Sequence, residues 1–155
     1  MIQFEMIKDV SLDAVVWVAC KKGKKNMNLV EIKNLKGEVL FSHDCEDNSL
    51  KKTVEEAVRM GVSLEEADLI GASLYRANLS GAYLYRARLI GAYLEEADLS
   101  RANLHRVDLY KANLIGANLS RAYLSYANLH GADLSGTDLF EANLTKANFD
   151  GPLVK

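Results

Sequence analysis

Three histidines, two cysteines and a set of tyrosines interleaved with arginines are the side chains of this sequence that could do chemistry. His43, His105 and His130 could ligate a metal or move protons, and Cys20 and Cys45 could act as nucleophiles or soft ligands. The cysteines sit alone, without the close pairing or histidine partners of a zinc or redox site, so free thiols are expected and a disulfide is not. No Gly-rich phosphate loop, nucleophile elbow or metal-ligand cluster is present, and the histidines share no motif. The expectation is a protein that is not an enzyme and holds no cofactor and no metal. The tyrosines and arginines point elsewhere, because these two side chains are enriched where proteins bind one another.

What positions them is a repeat of five. In "ADLIGASLYRANLSGAYLYRARLIGAYL", residues 67–94, leucine recurs at every fifth position, and the series runs unbroken from Leu64 to Leu144 and on to Phe149. On an α-helix, steps of five would scatter the leucines around the axis; on a flat strand they would alternate between faces. Only a chain that bends once per repeat can aim them all at one axis, which makes a stacked solenoid. With Leu as position i, position i-2 is Ala except at Val62, Val107 and Thr137, so large and small residues alternate in a narrow layered interior. Position i-1 is mostly Asn or Asp, which bond to local backbone and tolerate unusual dihedrals. Gly recurs at i+2 (Gly71, Gly81, Gly91, Gly116) for the same corner.

Charges indicate how many repeats close a turn, because stacked coils lie about 4.8 Å apart and like charges there repel. A spacing of 20 residues pairs Asp68 with Arg88, Arg88 with Asp108, Glu66 with Arg86, Arg76 with Glu96 and Arg121 with Glu141, against the like pairs Arg86 with Arg106 and Arg101 with Arg121. Spacings of 15 and 25 give more like than opposite pairs. Ser80, Ser100 and Ser120 also align at 20. The coil therefore has four sides, about four and a half turns and a length of roughly 20 Å.

The A-(N/D)-L-x-x pattern, as in "ANLSGAYL" and "ANLIGANL", resembles the pentapeptide repeat family over residues 62–150. The resemblance implies a right-handed quadrilateral β-helix, an all-β solenoid with i and i-2 inside, of the small bacterial or phage type. It also implies DNA gyrase as a candidate partner, since some members mimic duplex DNA. Mimicry needs a strongly negative rod, whereas residues 61–155 carry eleven acidic and nine basic side chains. This chain also departs from the long dimeric members in having no insertion between repeats and only "DGPLVK" after Phe149.

Before the repeats, "LVEIKNLKGEVLFS" at 29–42 predicts a β-hairpin turning at 34–37, and "DNSLKKTVEEAVRMG" predicts a helix capped by Asn48 or Ser49 and ended by Gly61. Residues 29–60 would thus form a hairpin and a helix covering the open first coil of the 61–150 β-helix, with 151–155 as a tail. Residues 1–28 form an N-terminal extension: "MIQFEMI" reads as a strand, and "SLDAVVWVACKKGKK" as a helix from Ser11 or another strand. The longest apolar run, residues 14–20, is far too short for a membrane span, and no signal peptide is apparent, so a cytoplasmic protein without membrane contact is expected.

Sorting outer positions by side gives one lead. The face of Leu64, Leu84, Leu104, Leu124 and Leu144 displays Tyr83, Tyr85, Arg86, His105, Arg106, Tyr123, Tyr126 and Lys146, while the other faces hold mainly Ser, Gly, Asn and charges. His105 and His130, 25 residues apart, fall on adjacent faces, and neither has a carboxylate partner that the spacing requires. Tyr83, Tyr85, Arg86, His105, Arg106, Tyr123 and Tyr126 are the candidate site for an unidentified protein partner. The near-neutral charge disfavours direct nucleic-acid binding. Pairing of two sparsely covered C-terminal coils into a homodimer is a further expectation.

Overall fold

The computed structural model describes residues 3–5, 18–20, 29–44 and 49–150. Strand β1 (Gln3–Glu5) pairs antiparallel with β2 (Val18–Cys20), which settles residues 18–20 as strand; a helix beginning at Ser11 falls outside the described residues. Strands β3 (Leu29–Lys33) and β4 (Val39–Asp44) form the expected hairpin, with Ile32 opposite Phe41 and a bulge between Ile32 and Lys33. The turn closes because the Asn34 Oδ1 accepts from the N–H groups of Lys36 and Glu38, both at 3.0 Å, while Gly37 takes φ 82°.

Helix α1 (Leu50–Arg59) starts at Ser49, whose hydroxyl accepts from the Lys52 N–H, as an N-cap does. It stops where Gly61 adopts φ 70° and its N–H reaches the Val58 carbonyl at 2.9 Å. Its buried face, Val54 and Ala57, joins Ile32, Phe41 and Leu64 in one continuous core. Polar groups at the front edge of the first coil are met as well. The Asp68 N–H donates to the Lys33 carbonyl (2.8 Å), the Asn78 N–H to Glu55 Oε1 (2.9 Å), and Lys51 Nζ donates to the Tyr75 carbonyl (2.8 Å).

From residue 62 onward each repeat is one side of a coil. Parallel bridges link residues 20 apart, from Asp68 with Arg88 to Asn128 with Asn148, so four repeats complete one turn. Leucine at i and alanine at i-2 are buried from Leu64 to Leu129; Leu134, Leu139, Leu144 and Phe149, in the last turn, are only partly covered. Thr137 fits an alanine position because its hydroxyl donates to the Leu114 carbonyl at 2.9 Å.

The corners differ from the sequence expectation in one respect. The left-handed conformation falls at i+2, and the Asn/Asp residues at i-1 do not share it: they hold the stacked bridges while their Oδ1 accepts from the i+1 N–H, as Asp98 does from Ser100 at 2.9 Å. Each corner is a turn closed from the i-2 N–H of the next repeat to the leucine carbonyl, for example Ala87 to Leu84 at 3.0 Å, in the class that demands positive φ at its third residue. The coil imposes this on any residue there, so Arg76, Arg86, Arg101 and Glu96 sit at φ 54–58° despite having a Cβ. Stacking compensates: the Arg86 N–H, for instance, bonds to the His105 carbonyl at 3.0 Å in the next coil.

Three of the five opposite charge pairs form, Arg76 with Glu96 (2.7 Å), Arg86 with Glu66 (3.3 Å) and Arg121 with Glu141 (2.8 Å). Asp68, Arg88 and Asp108 stand in register through backbone bridges without ion pairing, and Asp108 instead accepts from the Asn128 amide at 2.9 Å. Ser80 and Ser100 bond to each other at 2.9 Å, whereas Ser120 turns to Asn118.

Candidate interaction face

The 20-residue register builds the Tyr/Arg/His face as three parallel rows. In the i-1 row Tyr83 bridges Asn103, which bridges Tyr123, and the two tyrosines stand 56% and 57% exposed. In the i+1 row Tyr85 stacks on His105, with ring centroids 5.5 Å apart and planes 5° from parallel, and His105 Nδ1 bonds to the Ser125 hydroxyl. In the i+2 row Arg86 lies over Tyr85 (5.7 Å), and Arg106 and Lys146 both approach Tyr126, at 5.7 Å and 5.1 Å. Tyr126 meets His105 edge-on at 5.5 Å, and its hydroxyl accepts from Lys146 Nζ at 3.0 Å. Five of the seven expected residues, Tyr85, Arg86, His105, Arg106 and Tyr126, thus join in one aromatic and cationic stack.

Tyr83 and Tyr123 stay outside that stack. They border an open trough of about 690 Å³ with Asn103 between them, His105, Tyr85 and Ser125 along one side, and Gly81 and Arg101 at the neighbouring corner. Asn103, Ser125 and Arg101 were not among the expected site residues, although the same register that aligned the leucines assigns each of them its place. Among the described residues, no carboxylate lines the trough. Arg101 and Arg106 make no ion pair among the described residues, whereas Arg86 is held by Glu66.

Two expectations need correction. His130 does have a carboxylate: its Nδ1 lies 2.6 Å from Asp150 Oδ1, one coil further on, and Asp150 Oδ2 accepts from the Gly131 N–H at 2.8 Å. His130 also stacks on Tyr110, at 5.7 Å and 11°. This second ladder follows from the spacing of 20 that pairs the charges. Nor are aromatic side chains confined to one face: Tyr75 (44% exposed), Tyr93 (54%) and Phe140 (62%) project from other sides. What sets the first face apart is two tyrosines in one row separated by a single rung. Among the described residues, no group of three His, Cys, Asp or Glu side chains could hold a metal, and no helix is long and apolar enough to cross a membrane.

Fold and surface together define a four-sided β-solenoid of five-residue units with a filled interior and a patterned exterior. The model of pentapeptide repeats matches residues 62–101, 82–121, 102–139 and 117–151, and the chain belongs to the pentapeptide repeat family, whose members form right-handed quadrilateral β-helices. Among solved structures it is similar to a pentapeptide repeat protein from the cyanobacterium Cyanothece 51142, at 43% identity over 57% of this chain and 60% of that one, with a TM-score of 0.57. It is also similar to a pentapeptide repeat protein of the Arabidopsis thaliana thylakoid lumen, at 34% identity over 64% of this chain and 73% of that one, TM-score 0.46. The chain therefore spans 60% of the length of the cyanobacterial relative. No curated protein sequence matches it.

Proposed function

We propose that the chain is a non-enzymatic protein-interaction module, a rigid rod that presents its Tyr/Arg/His face to a protein partner in the cytoplasm. The observation that carries this reading is the trough between Tyr83 and Tyr123, two rings more than half exposed on a backbone whose every rung is hydrogen-bonded to the next. Rings so mounted bury a large area on binding and lose little conformational freedom in doing so. In this reading β3, β4 and α1 cap the front of the rod, supported by the shared core and by the bonds from Lys33, Lys51 and Glu55 to the first coil. A DNA-mimic role on gyrase draws no support from the outer surface, where arginines and lysines nearly balance the acids.

The test is affinity capture from a lysate of the source cell, comparing wild type with the Tyr83→Ser, Tyr85→Ser, Tyr123→Ser, Tyr126→Ser variant. Specific partners should disappear with the tyrosines. Recovery of the same partners by both proteins would reduce this face to mere surface.

A further inference from the structure

The trough has a spacing, a hydrogen-bond donor and a charge, and together they specify a ligand. Tyr83 and Tyr123 are joined through Asn103 by two parallel bridges, so they stand two rungs apart along the rod, roughly 9.6 Å at about 4.8 Å per rung. A polyproline II helix has three residues per turn and a rise of about 3.1 Å per residue, so residues three apart on one edge lie roughly 9.3 Å from each other. Side chains at such positions meet the two rings in succession.

Between the rings, Asn103 Oδ1 accepts from the His105 N–H at 3.2 Å, which fixes the amide, while its Nδ2 has no protein acceptor among the described residues. Polyproline II leaves its own carbonyls unpaired, so an amide donor between two aromatic rings is what such a backbone requires. The charge is positive: Arg101 borders the trough and, among the described residues, has no ion-pair partner and no carboxylate lining the trough beside it. The next arginine in that row, Arg121, is already engaged by Glu141 at 2.8 Å.

We infer that this trough binds an acidic, proline-rich peptide segment in the polyproline II conformation, laid along the rod axis over Tyr83, Asn103 and Tyr123 with a carboxylate on Arg101. The inference rests on the proposal that this face binds a protein, and it names the chemistry of the segment bound. A single strand of nucleic acid could also stack on tyrosines, but a strand of phosphates calls for several free cations and the trough offers one arginine.

The experiment is calorimetric titration of the full chain with the synthetic peptide PPEPPEPPE, beside GGEGGEGGE, PPQPPQPPQ and a twelve-nucleotide oligothymidylate. The proline–glutamate peptide should bind, and Tyr83→Ser and Tyr123→Ser should each weaken it about tenfold, as loss of an aromatic anchor does. Arg101→Gln should weaken it about threefold and reduce its salt dependence; Tyr93→Ser, on another face, should change nothing. The glycine peptide should bind at least tenfold more weakly, because it is not pre-organised. Equal binding of the proline and glycine peptides, indifference to Tyr83 and Tyr123, or tighter binding of the oligothymidylate would each overturn the inference. If no peptide binds although partner capture depends on these tyrosines, the inference falls and the interaction reading stands. If capture is indifferent to them as well, both fall.

Discussion

Replacing Leu104 by alanine tests the rod as a stack of nearest-neighbour layers. Leu104 is 0% exposed, with Leu84 and Leu124, also 0% exposed, one rung to either side. The column has no flexible filler beside it, since the neighbouring interior positions on the same side are alanines, Ala102 and Ala122, already at 0% and 1%. A cavity there cannot collapse, so the loss should sit well inside the range for buried Leu→Ala, about 3 to 4 kcal/mol. Leu144 occupies the equivalent position in the last turn, is only partly buried, and has a leucine on one side alone; Leu144→Ala should cost about half as much, ~1.5 kcal/mol. Urea titration followed by far-ultraviolet circular dichroism reads both. With a slope of about 2 kcal/mol per M, the midpoint should fall by roughly 1.5 to 2 M for Leu104→Ala and by roughly 0.7 M for Leu144→Ala. Equal shifts, or a Leu104→Ala shift below about 0.5 M at that slope, would refute a stack whose stability comes from contacts between successive layers.

The corners make a second prediction: Gly91 sits at φ 61° with no atom within 4 Å of an added Cβ, so Gly91→Ala should cost about 1 kcal/mol from backbone strain alone, read as a lower urea midpoint. The ladder pair Arg76 and Glu96 gives a third. The hydrogen bond and charge of Arg76 hold the Glu96 carboxyl below its usual range, so its stabilisation is complete above the ordinary glutamate pKa and is lost as pH falls through the lowered one. Glu96→Gln should therefore lower the midpoint at pH 7, with the difference shrinking as pH falls below the ordinary glutamate range and through the lowered pKa, and a difference that does not shrink in acid would contradict the pairing. Val54→Asp should detach α1, because Val54 is fully buried in the core that α1 shares with Ile32, Phe41 and Leu64, and limited proteolysis should then cut within residues 50–62 while residues 64–129 stay protected. Light scattering should show a dimer through the partly covered last turn, and a strict monomer would count against that pairing.

The repeat was legible because burial constrains it twice, once through the leucine and once through the alanine, and a period of five is incompatible with both regular structures. The number of sides was legible because charged residues one coil apart are in register. What escaped was whatever the coil imposes regardless of residue type. Arg86 and Glu96 carry no sign of a left-handed backbone, since turn geometry overrides the preference that glycine advertises at Gly81 and Gly91. The His130 and Asp150 pair escaped for a simpler reason: Asp150 lies just beyond the last repeat leucine position, Phe149, where the ladder looked finished. In the site, all seven expected residues fall on one face, but their partition into a stack and a trough depends on which row each occupies. Asn103 and Arg101 look like ordinary repeat residues until the rows are aligned.

The most direct measurement of the central claim is chemical footprinting of the tyrosines, by nitration or iodination read by mass spectrometry, on the chain alone and with a captured partner bound. Tyr83, Tyr93 and Tyr123 are similarly exposed in the free protein, at 56%, 54% and 57%, so they should react alike without the partner. With the partner bound, Tyr83 and Tyr123 should be protected together while Tyr93 keeps its reactivity. Protection of Tyr93 with Tyr83 and Tyr123 left open would put the interaction on another side of the rod and contradict the account.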